Sequence, residues 1–489
     1  APRGECQTVV LMLADGQSAA PSLQGTQVAL ALAQQMAGRA GQQRVLLLTC
    51  GTQAASADAA HAASDAAEGG VWGLARVLRL EHAGVRTHSA DVSRGLSATA
   101  AVMALTRVQE TAAEAELAWV SGVCCAAQLR PSRAVGVRSD AVVSGLYAIT
   151  GGLGGLGLRA AALVVGCGAG RVVLASRSGR VVRDGQGLAS QLQSLGARAA
   201  VVACDSADAK DSAALLGSAC HMMGLLHAAG LGDKGVSADL LALRLSLMYA
   251  PKAFGAWHLH VALMASPLEC RVLFSSVGAG LGNAGQANYA AGNACLDADA
   301  LSLRSHGVAV CSLQWPLIGG AGMGAATFAT AGQRQASIAG LAGISLEEYA
   351  VCLRGQLLEP RGITLGSQLV HRSDVQELVQ DLADASQPRF KELVSEARGY
   401  TAGAVAAPAV DSVLARTLAS VAPVHRREHA EAAILRVVRE LTGTPVAALS
   451  AETPLMEAGV DSLAATELSS RLRSLTGVAV SSTLVFEQP

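Results

Sequence analysis

The chain has 489 residues, of which 51% are apolar and only 3% aromatic, and its formal net charge is −1. This length predicts three or four domains, with cores packed mainly from Ala, Val and Leu. The balanced charge, without long charge runs or interleaved basic and aromatic residues, argues against a nucleic acid or a membrane surface as the main partner.

Eleven cysteines occur without any C-x-x-C pair, which is typical of small buried apolar groups in a reducing compartment. The chain begins Ala1-Pro2-Arg3, without a signal-like apolar core, and no apolar run is long enough to span a bilayer. We therefore expect a soluble, intracellular (cytoplasmic) segment of a longer protein, without a membrane span.

The first α/β unit is predicted over residues 1–131. Two short apolar runs, Thr8–Leu13 and Arg44–Thr49, predict buried parallel strands, and Val71–His82 has the apolar spacing of an amphipathic helix. The first strand is followed by residues 14–17, Ala-Asp-Gly-Gln, where a glycine-rich turn would otherwise stand. We expect a degenerate Rossmann unit without a cofactor site.

The second α/β unit is predicted over residues 145–398, after a boundary near Arg130-Pro131-Ser132-Arg133. Helical patterns alternate with short apolar runs, which is typical of a parallel sheet. The predicted strands are Gly145–Ile149, Arg171–Ala175, Ala199–Cys204, Gly224–Ala228, Arg271–Ser275 and Val308–Gln314. The expected fold class is therefore α/β, with two Rossmann-like units.

An Ala/Gly/Pro-rich stretch over residues 399–410 predicts a linker, and residues 411–489 have purely helical periods. In that third region the residues placed on one helical face are Ile434, Leu435, Val438 and Leu441. We expect a small all-α bundle whose last helix is missing, since the chain stops at Phe486-Glu487-Gln488-Pro489.

A glycine-rich turn follows the strand that ends at Ile149 and precedes a helical pattern. Its residues are Thr150, Gly151, Gly152, Leu153, Gly154, Gly155, Leu156 and Gly157. The glycines let a pyrophosphate approach the backbone, and the positive end of the helix favours it. With strand before and helix after, the motif predicts a dinucleotide site; the alternative is a tight turn without a ligand.

The ends of the next two strands carry the candidate adenosine-binding residues. Ser176, Arg177 and Ser178 suit a 2′-phosphate through charge-assisted hydrogen bonds, which favours NADPH over NADH. A solvated loop arginine is the alternative. Asp205 could accept from the adenine amino group, with Ser206 beside it, or it could cap the next helix.

Four residues predict a proton-donor site for carbonyl reduction. Tyr289 is the candidate acid, and Ser276, at the end of a core strand, is positioned to polarise the substrate oxygen. Lys252 is expected to lower the Tyr289 pKa as a nearby cation. Asn293 lies one helical turn beyond Tyr289 and could hold a water or a carbonyl in a proton relay. Taken singly, each residue would more often serve packing, capping or solvation.

Seven motifs together resemble the ketoreductase domain of type I (modular) polyketide synthases. They are Thr150–Gly157, Ser176-Arg177-Ser178, His227-Ala228-Ala229-Gly230, Pro251-Lys252, Leu273-Phe274-Ser275-Ser276, Asn288-Tyr289-Ala290-Ala291-Gly292-Asn293 and Gln314-Trp315-Pro316. Asn293 stands where ordinary short-chain dehydrogenases have lysine, an exchange typical of this family. The resemblance implies a structural subdomain over residues 1–131 and NADPH contacts at Ala229, Gly230, Lys252 and Pro316.

Two departures from the family pattern concern the configuration of the alcohol product. Gly232-Asp233-Lys234 stands where members giving one configuration carry L-D-D, and Leu281 stands where members giving the other carry Trp. The four catalytic positions are complete.

The third region contains Gly459-Val460-Asp461-Ser462-Leu463. Alone, this pattern is a helix cap. Its position after a linker is similar to an acyl carrier domain, in which Ser462 would bear a covalent 4′-phosphopantetheine arm. The resemblance implies four partners: a carrier-bound acyl thioester, the ketosynthase and acyltransferase of the same synthase, and a phosphopantetheinyl transferase.

Two alternatives to an active polyketide reductase stay open: a redox-silent docking module, and the equivalent segment of a multifunctional fatty acid synthase. No metal is expected. His425-Arg426-Arg427-Glu428-His429 satisfies a zinc-protease pattern, but its charged surroundings favour a solvated helix face.

Overall fold

The computed structural model describes most of the first two units and parts of the third. The described residues are 7–13, 19–37, 43–53, 66–82, 84–92, 114–120, 123–131, 142–182, 186–217, 221–264, 268–323, 337–338, 341–358, 367–370, 375–382, 387–401, 414, 417–418, 421–443, 449–455, 457–458, 460, 468, 471–472 and 475–476.

Two parallel sheets dominate the described structure. The strands are β1 Gln7–Leu13, β2 Gln43–Cys50, β3 Val85–Val92, β4 Glu116–Val120, β5 Val123–Cys125, β6 Leu146–Thr150, β7 Arg171–Ser176, β8 Ala199–Ala203, β9 Met222–His227, β10 Cys270–Ser276, β11 Val310–Trp315, β12 Ser337–Ile338, β13 Leu341–Ala342 and β14 Ser367–Leu369. The helices are α1 Leu23–Ala37, α2 Gly69–Glu81, α3 Gly155–Gly166, α4 Leu188–Leu195, α5 Ala209–Gly217, α6 Ala242–Tyr249, α7 Gly255–Ala262, α8 Val277–Leu281, α9 Ala287–Ser305, α10 Leu346–Leu358, α11 Val375–Asp381, α12 Lys391–Thr401 and α13 Arg426–Thr442.

The first sheet has the order β1-β2-β3-β4-β5, and only β5 pairs antiparallel. The predicted strands at β1 and β2 and the predicted helix at α2 are confirmed. Strand β3 was not predicted, because its residues Val85–Val92 mix charged and polar side chains with few apolar ones.

The second sheet is parallel throughout, with the order β14-β11-β10-β9-β6-β7-β8. All six predicted strands are present, and β14 adds an edge strand that was not predicted. Strand order reverses between β6 and β9, so the carboxyl ends of these two strands flank a crevice of the kind that binds ligands in α/β sheets. The α/β fold class with Rossmann-like units is confirmed.

Helix α2 of the first unit packs closely along α9 of the second. A Cβ at Gly73 would lie 2.4 Å from the Ala290 carbonyl oxygen, and one at Gly69 would lie 2.4 Å from the Ala298 Cβ. These small residues let the two backbones approach, and the buried side chains of both helices form one core. The first unit therefore supports the helix that carries Tyr289.

The described part of the third unit centres on α13. A core forms around Val438, Leu449, Val460, Leu468 and Leu472. Of the four residues predicted to share one helical face, Val438 is buried, Leu435 and Leu441 pack partly buried against this core, and Ile434 is 36% exposed.

No helix among the described residues is long and apolar enough to span a membrane. Within the same described ranges, no group of three or more His, Cys, Asp or Glu side chains could hold a metal ion. His425 and Glu428 are exposed and lie 3.7 Å apart on the surface of the third unit.

Candidate active site

The glycine-rich turn joins β6 to α3 with the backbone tightly packed. Gly151 has φ +64°, and a Cβ there would lie 2.7 Å from the Ala228 carbonyl oxygen. A Cβ at Gly152 would lie 2.6 Å from the Ile149 carbonyl oxygen, and one at Gly157 would lie 2.3 Å from the Gly151 carbonyl oxygen. Glycine is therefore required at these positions, and the turn places the N-terminus of α3 at the crevice.

His227, at the end of β9, links this turn to the Lys252 segment. Its Nδ1 lies 2.7 Å from the Thr150 hydroxyl, and its Nε2 lies 3.3 Å from the Lys252 carbonyl oxygen. Burial and the Lys252 charge lower the pKa of His227 to about 3, so the ring is neutral at pH 7. Since a carbonyl only accepts, Nε2 carries the proton and Nδ1 accepts from the Thr150 hydroxyl.

Lys252 lies in a short π-helical turn, Ala250–Phe254, and its side chain is buried. Its Nζ donates to the Phe274 carbonyl oxygen at 2.6 Å, next to the end of β10. A Cβ at Gly230 would lie 2.5 Å from the Lys252 Cε, so the glycine of the His227–Gly230 turn makes room for the ammonium. Burial lowers the pKa of Lys252 to about 8, while the charge of Asp297 opposes this effect.

Ser276 and Tyr289 meet above β10. The Ser276 Oγ accepts from the Gly278 N–H at 3.2 Å and caps α8. Burial raises the pKa of Tyr289, and hydrogen bonding to the side chains of Asn293 and Ser276 opposes that rise. The direction is opposite to the expectation that Lys252 lowers this pKa, because desolvation of the phenol dominates and the Lys252 ammonium lies against the Phe274 carbonyl.

Asn293 is fully buried one turn after Tyr289 on α9. Its Nδ2 donates to the Tyr289 carbonyl oxygen at 2.9 Å, which fixes the amide orientation. Its Oδ1 is buried and accepts from none of the described residues. An unpaired buried acceptor of this kind is unfavourable unless a water or a ligand donates to it.

The residues that are predicted to bind the 2′-phosphate of the cofactor lie at the end of β7. The Ser176 Oγ is buried and has no partner among the described residues. Arg177 is exposed at the surface, and Ser178 donates to the Arg180 carbonyl oxygen at 3.0 Å. The Ser176 hydroxyl thus lacks a partner within the described ranges, and the Arg177 guanidinium belongs to an exposed residue.

Asp205 and Ser206 follow β8. The Asp205 carboxylate accepts from the Ala207 N–H at 3.1 Å, which closes a local turn. Asp208, rather than Asp205, caps α5 by accepting from the Lys210 N–H at 2.8 Å. Ser206 is buried against Gly255, where a Cβ would lie 2.9 Å from its Oγ.

The segment Gly232–Lys234 is tied to the start of α9, a connection that the sequence did not reveal. Arg244 donates to both Asp233 carboxylate oxygens at 2.9 and 2.6 Å. Asn288 Nδ2 donates to Asp233 Oδ2 at 2.6 Å, while Asn288 Oδ1 accepts from the Tyr289 N–H at 2.9 Å. Asp233 therefore helps to fix the first turn of the Tyr289 helix.

Glu81, at the end of α2, also holds this region from the first unit. Its carboxylate accepts from the Ser237 N–H at 2.7 Å and from the Gly285 N–H at 2.6 Å. The segment after Lys234 and the turn before α9 are thereby joined by one buried side chain. No local pattern in the sequence indicates this role, because the two donor N–H groups lie 156 and 204 residues away from Glu81.

The remaining predicted residues lie at the same edge of the sheet or outside the described residues. Leu153 and Pro316 are buried, while Leu156 and Ala229 are partly exposed. Gly154 and Gly155 begin α3. Ser462, the proposed site of phosphopantetheine attachment, lies outside the described residues.

The second sheet is parallel, and the glycine-rich turn of residues 150–157, the glycine cradle, lies at its switch point. Around a nearby strand end lie four further residues, Lys252, Ser276, Tyr289 and Asn293. This arrangement defines a Rossmann-like reductase. Residues 145–320 match the family model described as the KR domain, and residues 432–489 match the model for the phosphopantetheine attachment site.

Two curated relatives and one solved structure are similar over most of the chain. The chain is 36% identical over 352 residues to the spectinabilin polyketide synthase system protein NorB of Streptomyces orinoci, covering 71% of this chain and 16% of that protein. It is 33% identical over 469 residues to polyketide synthase GfsA of Streptomyces halstedii, covering 92% of this chain and 6% of that protein. A structure of A-type ketoreductases from a modular polyketide synthase aligns with a TM-score of 0.65 and 30% identity, covering 76% of this chain and 78% of that one.

The chain belongs to the ketoreductase family of modular polyketide synthases and carries a phosphopantetheine attachment domain after the reductase. Family membership implies NADP(H) and a covalent phosphopantetheine as its cofactors. The glycine cradle and the unpartnered Ser176 hydroxyl fit the dinucleotide. The chain spans only 16% and 6% of the two synthases.

Proposed function

We propose that the chain reduces the β-keto group of a carrier-bound acyl thioester to a β-hydroxyl, with NADPH as the reductant. The observation that carries this proposal is the grouping of Lys252, Ser276, Tyr289 and Asn293 at one strand end beside the glycine cradle. NADPH, when bound, supplies the hydride that adds to the carbonyl carbon.

Tyr289 supplies the proton. Its raised pKa keeps the phenol protonated at neutral pH, so the acid form is the populated one. As the substrate oxygen gains negative charge, the phenolic proton moves to it. The phenolate that remains is stabilised by a hydrogen bond from the Asn293 side chain, a group that already lowers this pKa.

Ser276 fixes and polarises the substrate oxygen. Its Oγ accepts from the Gly278 N–H, and its one hydroxyl proton would be donated to the substrate oxygen when the substrate is bound. A donor held in this way stabilises the developing oxyanion without reorganising.

Lys252 and Asn293 support the cofactor and the proton supply. The ammonium donates once to Phe274, and its other two N–H groups are available to the hydroxyls of the nicotinamide ribose. The unpaired Asn293 Oδ1 is suited to accept from a water that reprotonates Tyr289.

Arg177 and Ser176 supply the preference for NADPH over NADH. The exposed guanidinium and the unpartnered hydroxyl lie at the end of the strand after the glycine turn, where a 2′-phosphate is recognised in this fold. Asp205, Ser206, Ala229, Gly230 and Pro316 complete the proposed cofactor contacts.

The substrate arrives on a carrier. We place phosphopantetheine on Ser462, which requires a phosphopantetheinyl transferase, and tethering raises the local concentration of the thioester. Mass spectrometry after treatment with such a transferase should show one added phosphopantetheine, lost in Ser462→Ala and retained in Ser450→Ala.

Replacement of Tyr289 tests the reductase chemistry. Tyr289→Phe should abolish oxidation of NADPH by a β-ketoacyl thioester mimic, acetoacetyl-N-acetylcysteamine, while fluorescence titration shows unchanged NADPH binding. Tyr147→Phe, in buried strand β6, is the matched control and should retain activity. Normal turnover by Tyr289→Phe would overturn the assignment, and an inactive but NADPH-binding parent chain would favour the redox-silent docking module.

A further inference from the structure

The short helix α8 connects Ser276 to the turn that precedes the Tyr289 helix. Ser276 ends β10 and caps α8, because its Oγ accepts from the Gly278 N–H at 3.2 Å. The helix has five residues and ends at Gly282, whose N–H donates to the Gly278 carbonyl oxygen at 3.0 Å. A helix this short has too few internal hydrogen bonds to be stable alone. The placement of the Ser276 Oγ therefore depends on what holds α8.

Two arginines from distant parts of the chain donate to the last carbonyls of α8. Arg76 Nη1, on α2, donates to the Ala279 carbonyl oxygen at 2.7 Å. Arg389 Nη1, in the turn before α12, donates to the Gly280 carbonyl oxygen at 3.1 Å. The final carbonyls of a helix have no partner within the helix, and basic side chains can satisfy them. The two guanidiniums thus hold α8 at the end opposite to Ser276.

Arg76 is itself held by a carboxylate of the first unit. Its Nε and Nη2 donate to the two Glu116 carboxylate oxygens, both at 2.8 Å, and this fork directs Nη1 to α8. Arg79, one turn further along α2, also pairs with Glu116. Its other donors bond the first sheet, through the Thr87 carbonyl oxygen at 2.9 Å and the Ser89 hydroxyl at 2.7 Å. Of the two arginines on α2, Arg76 is the one that bonds α8.

The packing around α8 joins the same two regions. A Cβ at Gly282 would lie 2.8 Å from the Arg76 carbonyl oxygen, so the end of α8 rests on the backbone of α2. On the other side, Val277 shares an apolar core with Phe390, and Leu281 packs against that core. The Arg389 guanidinium carbon lies 4.7 Å from the centre of the Phe390 ring. Helix α8 is therefore held between the first unit and the segment that leads into α12.

We propose that Arg76 and Arg389 are positioning residues for the reduction: they hold α8 by its last carbonyls and thereby fix the Ser276 Oγ toward the substrate oxygen. A donor that is held in place stabilises the developing oxyanion without reorganising, and a small displacement of it slows the reaction. The kinetic consequence rests on the proposed reductase function, whereas the support of α8 does not. Arg389 lies beyond residues 145–320, the part that matches the KR family model.

Hydrogen–deuterium exchange in the cofactor-free protein tests the support of α8. Arg76→Lys keeps a cation beside Glu116 but lacks the fork that also reaches the Ala279 carbonyl. Arg389→Met removes the donor to Gly280 and keeps an apolar stem. In both variants the Gly278 amide, the donor to the Ser276 Oγ, should exchange at least about tenfold faster, read by fragmentation to single residues.

Two further variants are the controls for this measurement. Arg79→Lys disturbs the same ion-pair network and the first sheet without removing a bond to α8, so the Gly278 amide should exchange within about twofold of the parent rate. Arg389→Lys keeps one donor for the Gly280 carbonyl and should restore most of the protection that Arg389→Met loses. If Arg76→Lys does not fold, the two Arg389 variants decide the same question.

A kinetic cycle tests the link to Ser276. With acetoacetyl-N-acetylcysteamine, kcat should fall about tenfold or more in Arg76→Lys and in Arg389→Met, with the NADPH dissociation constant unchanged. Arg79→Lys should keep kcat within about twofold of the parent. In a Ser276→Ala background each of the first two variants should lower kcat by less than about twofold, because the group they position is absent.

The proposal fails if the Gly278 amide keeps its parent exchange rate in both Arg76→Lys and Arg389→Met, or if Arg79→Lys accelerates it equally. Losses that multiply in full with the loss from Ser276→Ala would show that the arginines do not act through the serine. Because exchange is read without substrate or cofactor, it decides the support of the Ser276 Oγ even in a parent chain that proves inactive, a result that would refute the proposed function alone.

Discussion

Asn288 Nδ2 donates to Asp233 Oδ2 at 2.6 Å, which ties the residue before Tyr289 to the segment after the His227–Gly230 turn. Arg244 donates to both oxygens of the same carboxylate. The divergent Gly232-Asp233-Lys234 segment thus helps to support the helix that carries Tyr289.

Replacing Asp233 tests this support. Asp233→Ala removes the acceptor of both Arg244 and Asn288, and charge-assisted hydrogen bonds of this kind contribute about 1.5–3 kcal/mol each. We expect kcat to fall at least about tenfold, since misplacing the acid slows proton transfer, with the NADPH dissociation constant unchanged. Asp239→Ala, an exposed aspartate six residues on, is the control. Equal activity in the two variants would show that the contact is dispensable.

Arg177 should set the choice of cofactor. Arg177→Ala removes the exposed cation proposed to bind the 2′-phosphate, so kcat/KM with NADPH should fall about tenfold or more while kcat/KM with NADH changes little. Steady-state kinetics with both nucleotides measure the ratio. Arg180→Ala in the same loop should leave it unaltered. A parallel loss with both nucleotides would contradict a phosphate-binding role.

Gly230 should be required for the placement of the lysine. In Gly230→Ala the new methyl group would lie 2.5 Å from Lys252 Cε and 3.0 Å from Nζ, so the ammonium must move from the Phe274 carbonyl. We expect at least about a tenfold loss of kcat/KM and weaker NADPH binding in a folded protein. Among the described residues, the new methyl group of Gly232→Ala meets only the exposed Met323 Sδ, at 3.3 Å, and this variant should be tolerated. Full activity of Gly230→Ala would show that Lys252 acts from a position other than the one beside the Phe274 carbonyl.

The buried ammonium should also make stability depend on pH. The Lys252 pKa is about 8 in the folded chain and near 10.4 when unfolded, so below pH 8 the folded state holds a desolvated charge. That cost is relieved as pH rises from about 8 to 10.5, because the folded state then binds fewer protons than the unfolded state. The Tm of the parent minus the Tm of Lys252→Met should therefore increase as the pH rises across this range. A pH-independent difference would mean that the lysine is solvated.

Much of the architecture was predictable because local patterns determine it. Six of the seven strands in the second sheet are short apolar runs, which a local pattern reveals. The glycines at 151, 152 and 157 are recognisable because the tight turn leaves no room for a side chain at these positions. Strand β3 was not predicted, because most of its side chains are polar or charged.

The sequence by itself determined the α/β class, the dinucleotide turn and the identities of the lysine, serine, tyrosine and asparagine, since each of these depends on residue type and spacing along the chain. Only the tertiary structure decided what surrounds those groups: the Phe274 carbonyl at Lys252, the Asp233 carboxylate at Asn288, Glu81 across the two units, and the Arg76 guanidinium at the end of α8. The direction of the Tyr289 pKa belongs to this second group, because desolvation is set by packing rather than by neighbours in sequence.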